Sequence, residues 1–272
     1  MKRQFKHISF LLFASVAALM LISCGPSGPA EPVWELVWQD EFEGPAGQLP
    51  DSSKWTYDIG TDWGNAQLEY DTDRPENVSL DGDGNLAIVA RRESYEGSAY
   101  TSARILTRGK FTTAYGKIEA SIKLPWGQGI WPAFWMLGDD FETAGWPACG
   151  EIDIMEYRGQ NVSQILGTVH GPGYSGANGV GATYDIVQDR FDTGFHTFTV
   201  EWGVDYLKWY VDGLIFLTIT PDDLPGEWVF DHAFYIILNL AVGGSFVGPP
   251  NQFTVFPQTM LIDYVRVYTE IN

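Results

Sequence analysis

Three carboxylates punctuate the stretch GEIDIMEYRG, residues 150–159: Glu151, Asp153 and Glu156. In a strand, side chains two apart share a face, so Glu151 and Asp153 point the same way. The next position on that face is Met155, and Glu156 falls on the other side. One extra residue bulging near Ile154–Met155 returns Glu156 to its neighbours; bulges re-aim side chains in this way beside active sites. Carboxyls held close together cannot all ionise, because each charge raises the proton affinity of the next. One can then stay charged and attack while another keeps a proton and donates it. Those two roles cleave a glycosidic bond with retention when the carboxyl groups stand about 5–5.5 Å apart. Two plainer readings stay open on spacing alone: ordinary acids on a solvated strand face, and a site for a hard cation such as calcium. The flanking Ile152, Ile154 and Met155 weigh against the first. The second needs ligands from elsewhere in the chain.

The elements that must position these acids read as strands. GKIEASIKL alternates, with Ile118, Ala120 and Ile122 on one face and Lys117, Glu119, Ser121 and Lys123 on the other. NLAIVAR, SARILTRGKF, HTFTVEW, AFYIILNLAV and MLIDYVRVY are β-branched or aromatic runs bounded by Gly, Pro, Asp or Asn. Asp212-Gly213 in LKWYVDGLIFLTI suits a two-residue type I′ turn. No apolar stripe of helical period runs beyond three turns. With 45% hydrophobic and 15% aromatic residues the core can be large. The pattern predicts an all-β fold, a sandwich or jelly roll of two antiparallel sheets.

The chain opens with the basic MKRQFKH and an apolar run of about 15 residues, short of the ~20 that span a bilayer. LISCG closes that run and resembles a bacterial lipobox ending on Cys24. Residues 1–23 are therefore expected to be a lipoprotein-type signal, with lipid on Cys24 and membrane attachment through it. Residues 24–32 read as a flexible tether and 33–270 as one domain. The expected location is the outer membrane or cell surface, or otherwise the secreted fraction. Only two cysteines exist, so a lipidated Cys24 leaves Cys149 without a disulfide partner. A net charge of −19 repels nucleic acid and other polyanions and favours a neutral partner.

GEIDIMEYRG resembles the active-site signature of glycoside hydrolase family 16, in the bulged form of laminarinases (endo-β-1,3-glucanases). WPAFWMLGD, GTVHGPGYSG, YTSARILTRGKF, YGKIEASIKLP and LIDYVRVY are similar to the same pattern in the same order, over about residues 33–269. The resemblance implies a jelly roll with a concave substrate cleft and double displacement on β-1,3-glucan. It implies Glu151 as nucleophile, Glu156 as general acid/base and Asp153 as the acid assisting the nucleophile. It also implies sugar contacts from Asn65 and Arg104 on neighbouring strands, a cleft face carrying Trp131 and Trp135 as aromatic platforms, a cleft indole in Trp146, and His170 beside the acid/base. A structural calcium is implied on the convex side, with Glu43, Gly84 and Asp263 as ligands; Asp263 inside LIDYVRV would otherwise be an unpaired acid in a strand. Catalysis calls for no cofactor, and a monomer is expected. Mixed-linkage β-glucan or an agar-type galactan remains an alternative substrate, and a non-catalytic glucan-binding lipoprotein an alternative of another class.

Other motifs carry less. GPGYSG, residues 171–176, fits G-x-G-x-x-G, but the loop-like ANGVGATYD follows it where a dinucleotide site needs a helix. Neither G-x-S-x-G nor H-E-x-x-H occurs.

Overall fold

The computed structural model describes residues 32–271, and from Val33 onward the chain forms one compact unit. The signal, the tether and Cys24 lie outside the described residues. The first strands are β1 (Val33–Asp40), β2 (Thr56–Tyr57), β3 (Glu69–Asp71), β4 (Val78–Leu80), β5 (Leu86–Tyr95) and β6 (Ser98–Ser102). β7 (Arg104–Leu106), β8 (Gly116–Lys123), β9 (Ile130–Gly138), β10 (Glu151–Tyr157), β11 (Gln164–His170) and β12 (Val180–Asp185) follow. The last are β13 (His196–Gly203), β14 (Tyr206–Val211), β15 (Leu214–Ile219), β16 (Phe234–Val242) and β17 (Gln258–Ile271). The one α-helix among the described residues is a four-residue turn, Phe141–Ala144, and none of their helices is long and apolar enough to cross a membrane.

Two sheets form. One runs β12-β11-β10-β9-β16-β7-β2 and the other β15-β14-β13-β8-β17-β5-β6-β3, with β1 on β17 and β4 on β5. Pairing is antiparallel except between β3 and β6, which run parallel. The predicted two-sheet β fold is present. Asp212 and Gly213 join β14 to β15 with φ of 50° and 76°, the positive pair a type I′ turn requires.

The core lies between the sheets. Ile118, Ala120 and Ile122 of β8 and Phe198, Val200 and Trp202 of β13 are buried on one side. Phe134 and Met136 of β9, Ile236, Leu238 and Leu240 of β16, and Ile152 and Ile154 of β10 are buried on the other. Burying each such side chain contributes about 1.5–3 kcal/mol, enough that Cys149, buried and free, needs no disulfide to help it. Every residue of β16 is buried: its inward residues meet the other sheet, and its outward residues are covered by site residues and loops. The outer face of the seven-stranded sheet carries Glu151, Asp153 and Glu156.

Candidate active site

Strand β10 carries the predicted bulge. Against β11, Asp153 pairs with Thr168 and Glu156 with Leu166, so three steps oppose two. Against β9, Asp153 pairs with Trp135 and Met155 with Phe134, which leaves Ile154 as the extra residue. Ile152, Ile154, Met155 and Tyr157 are all packed in the core. Ile154 and Met155 are thus consecutive residues on the same side, and Glu156 returns to the face of Glu151 and Asp153. A bulge interrupts the ladder and leaves backbone groups needing other partners. The opposite sheet supplies one: Trp209 Nε1, from β14, donates to the Asp153 carbonyl at 2.8 Å through the core. Gly167 makes room for that indole, since a Cβ there would stand 2.6 Å from Trp209 Cδ1.

Each acid has its own neighbour. Trp146 Nε1 donates to Glu151 Oε2 at 2.7 Å. Trp131 Nε1 donates to Glu156 Oε1 at 3.1 Å. His170 Nε2 stands 3.1 Å from Asp153 Oδ2 and 3.8 Å from Glu151 Oε1. The β10–β11 register sets Glu151 directly across from His170. The histidine therefore sits directly against Glu151 and Asp153, and it is near enough to Glu156 to act on its charge.

Burial raises the proton affinity of all three acids. Burial first, and repulsion from Asp153 second, push Glu151 up to about 8. Burial and repulsion from Glu151 push Glu156 up to about 7, against the pull of His170, the Trp131 N–H and Arg158. Asp153, the most enclosed at 3% exposure, is raised well above the ordinary carboxylate range, mainly by burial. Taken with Asp153 charged, Glu151 would be the later of the two glutamates to ionise. A proton kept on Asp153 works against that order. It removes the repulsion on Glu151, whose indole donor and facing imidazole then favour the anion, and the Glu151 charge holds the proton on Glu156. The trio can present one nucleophilic carboxylate and one protonated acid together.

The remaining predicted contacts are placed less uniformly. Trp131 and Trp135 do lie on the outer face of β9, but neither is an open platform. Trp131 is 8% exposed and offers its ring edge to Glu156. Trp135 donates to Asn239 Oδ1 at 2.8 Å and is covered by Arg104, whose Cζ stands 4.8 Å from its ring centre. Trp146, at 45% exposure, is the open indole. Arg104 also lies 5.1 Å from the Trp63 ring and pairs with Asp58 at 3.0 Å. Asn65 is exposed in a bend rather than on a strand, where its carbonyl accepts from Ser245 N at 2.8 Å. Sequence reading passed over Asn239, Asp58, Trp63 and Trp209. Asn239 had a signal, being the one polar residue in the apolar FYIILNLAV; the others depend on contacts between distant segments.

Glu43 and Gly84 come together, with Glu43 Oε1 3.9 Å from where a Gly84 Cβ would stand. Asp263 is the extra residue of a bulge in β17, between Ile262 and Tyr264, and is half-buried. The bulge gives it solvent access. Among the described residues, the ligand atoms of Glu151, Asp153 and His170 lie within 4.8 Å of one another. A calcium ion takes six to eight oxygens, so this imidazole-containing set suits proton handling better.

A model of glycosyl hydrolases family 16 matches residues 57–258. The chain belongs to that family. It is 40% identical over 279 residues to a β-glucanase of Rhodothermus marinus, covering 98% of this chain and 96% of that one. It superposes on the laminarinase catalytic domain of Thermotoga maritima with a TM-score of 0.83 at 47% identity, covering 88% of this chain and 99% of that one. A family 16 non-specific endo-β-1,3(4)-glucanase, crystallised with 1,3-β-D-cellotriosyl-glucose, gives a TM-score of 0.80 at 36% identity, covering 88% and 98%. The fold is the family 16 jelly roll, and the chain is a glycoside hydrolase.

Proposed function

We propose that this family 16 enzyme is a retaining endo-β-1,3-glucanase of the laminarinase type. The observation that carries the reading is the bulge at Ile154, which sets Glu151 and Glu156 on one face with a separate indole donor for each. In the first step Glu156 gives its proton to the glycosidic oxygen as the bond to C1 breaks, and a Glu151 oxygen bonds to C1. In the second, ionised Glu156 takes a proton from water as the water oxygen attacks C1 and Glu151 departs. Two inversions leave the configuration retained. Asp153 and His170 keep Glu151 oriented and fix where the shared proton stays. In this reading Arg104 and Asn65 bind sugar hydroxyls, and Trp146 offers a ring face to pyranose C–H groups.

Laminarin is the favoured substrate because the relatives that align over nearly their full length are β-glucanases and laminarinases. Mixed-linkage β-glucan is the second reading, favoured by the likeness to a non-specific endo-β-1,3(4)-glucanase. Attachment by lipid on Cys24 and a structural cation at Glu43, Gly84 and Asp263 are part of the proposal. The lipobox-like LISCG supports the first, and the approach of Glu43 to Gly84 supports the second. The test measures reducing ends from laminarin, curdlan and barley β-glucan, with the first-formed anomer read by NMR. Release from laminarin with a β-configured product is expected. A protein that binds these glucans and cleaves none would be a binding module, and the proposal would be wrong.

A further inference from the structure

Arg158 follows Glu156 by two residues at the end of β10, and nothing in the mechanism above uses it. Its guanidinium lies over Phe246, with Cζ 4.0 Å from the ring centre. Phe246 in turn packs on Trp131, centroid to centroid 5.1 Å, and Trp131 is the donor to Glu156. Arg158, Phe246, Trp131 and Glu156 thus form a run of contacts at one end of the acid trio, where Trp131, Ala241 and Val247 form a small apolar cluster.

The wall that Phe246 forms is held from several sides. The loop bearing Phe246 leaves β16 through Gly243 and Gly244, with φ of 71° and 110°. A Cβ on Gly244 would come within 3.1 Å of the Trp131 ring, so the loop closes on the indole only because it has none. Two glutamines then pin the carbonyl of the next residue: Gln128 Nε2 and Gln160 Nε2 donate to Val247 O at 2.6 and 3.1 Å. Against that fixed wall the arginine is poorly satisfied. Arg104 and Arg108, elsewhere in the molecule, are each paired with Asp58. Arg158 has no carboxylate within ion-pair distance among the described residues, and its Nε is buried without an acceptor. A guanidinium on a ring face, with no carboxylate partner among the described residues, is a preorganised donor for a ligand's oxygens.

We propose that Arg158, seated on Phe246, donates hydrogen bonds to hydroxyls of the glucose unit bound on the Glu156 side of the scissile bond. The ligand class is a neutral β-glucan, and the inference rests on the function proposed above. The groups facing Glu156 are Glu151, Asp153, His170, Trp131 and Arg158. Arg158 is the one permanent cation among them. Its removal makes the Glu156 anion harder to form, so the alkaline limb of kcat/KM moves to higher pH.

The experiment compares the full chain with Arg158→Met and Arg158→Lys, using laminarihexaose for kcat/KM against pH. The same two substitutions in a Glu151→Gln background give laminarihexaose affinity by calorimetry without turnover. Arg158→Met should lower kcat/KM about tenfold or more, as expected for losing hydrogen bonds from a charged donor, and move the alkaline limb up by about half a pH unit. Arg158→Lys keeps the charge but not the planar fork, so it should restore the limb and not the affinity. An Arg158→Met protein with wild-type affinity would overturn the inference. Absence of hydrolysis in the unsubstituted protein, with affinity still lowered by Arg158→Met, would refute the function and leave Arg158 as a glucan contact.

Discussion

Among the described residues, two groups of neighbouring acids have raised proton affinity through burial, and both begin with the same spacing. Glu151 and Asp153 stand in EID, and Glu69 and Asp71 in EYD. Both groups have raised proton affinity, and in both burial is the main cause. They differ in what their oxygens meet. Glu69 Oε2 accepts from the backbone N–H of Val242 at 2.7 Å, Asp71 Oδ2 accepts from Trp63 Nε1 at 2.8 Å, and both residues are at most 2% exposed. They fasten β3 and the Trp63 segment to the end of β16. In the trio, Glu151 and Glu156 are only half-buried, and a third acid has been brought round by a bulge. A raised proton affinity therefore does not single out a reactive carboxyl here; access and the extra residue at Ile154 do. The comparison breaks most sharply by substitution. Glu156→Gln should lower kcat on laminarin by about 10²–10⁴-fold, the usual contribution of a general acid, with the unfolding midpoint little changed. Glu69→Gln should leave kcat within about threefold, because it reaches no reacting atom. Equal losses in the two would mean that the spacing, not the bulge, marks the function.

The bulge can be tested without touching an acid. Trp209→Phe keeps a ring in the core and deletes the N–H that holds the Asp153 carbonyl. Loss of that bond lets β10 relax toward a regular ladder, and small misplacements of reacting groups cost about 10²-fold. A fall in kcat of about 10–100-fold with KM nearly unchanged is expected; a KM effect alone would place the role of Trp209 elsewhere. This contact also marks the limit of what the sequence discloses. The strands, the Asp212-Gly213 hairpin and the slipped rhythm of GEIDIMEYRG are local patterns, and they are legible because side-chain direction in a strand follows from counting. The partner of the Asp153 carbonyl is 56 residues away in the opposite sheet. The position of His170 depends on the β10–β11 register, and the burial of Trp131 and Trp135 on loops and an arginine that close over them. None of these follows from a period of two. The resemblance to family 16 supplied the roles of the acids and set His170 among them, but made platforms of two indoles that serve as hydrogen-bond donors.

Titration should separate the two groups as well. Hydrolysis needs Glu156 protonated, and its proton affinity is pushed up to about 7. Activity should therefore be lost on an alkaline limb near pH 7, falling about tenfold per pH unit beyond it. Glu69→Gln should not move that limb. A limb above pH 9 would show that Glu156 is not the acid that gives the proton.

The smallest effect is the one that gives the structural pair its own signature. Asp71, with its proton affinity raised to about 7 in the folded chain, has an ordinary value near 4 when unfolded. An acid whose folded value is raised binds more protons folded than unfolded between those two values. Stability therefore falls as pH climbs through that window, by at most about 1.4 kcal/mol per unit for one group. Partial hydration and relaxation reduce this, so a loss of about 1–3 kcal/mol between pH 5 and pH 8 is the expected order from Asp71. Asp71→Asn removes the titration and keeps an oxygen to accept from Trp63. Denaturant unfolding at the two pH values should then show a smaller difference in the variant than in the unsubstituted protein, with kcat at pH 6 within about threefold. An undiminished difference would mean that Asp71 is already ionised and held by Arg104, which stands close enough to favour its anion. The EYD acids would then be a charged clamp, and the likeness between the two groups would be one of spacing alone.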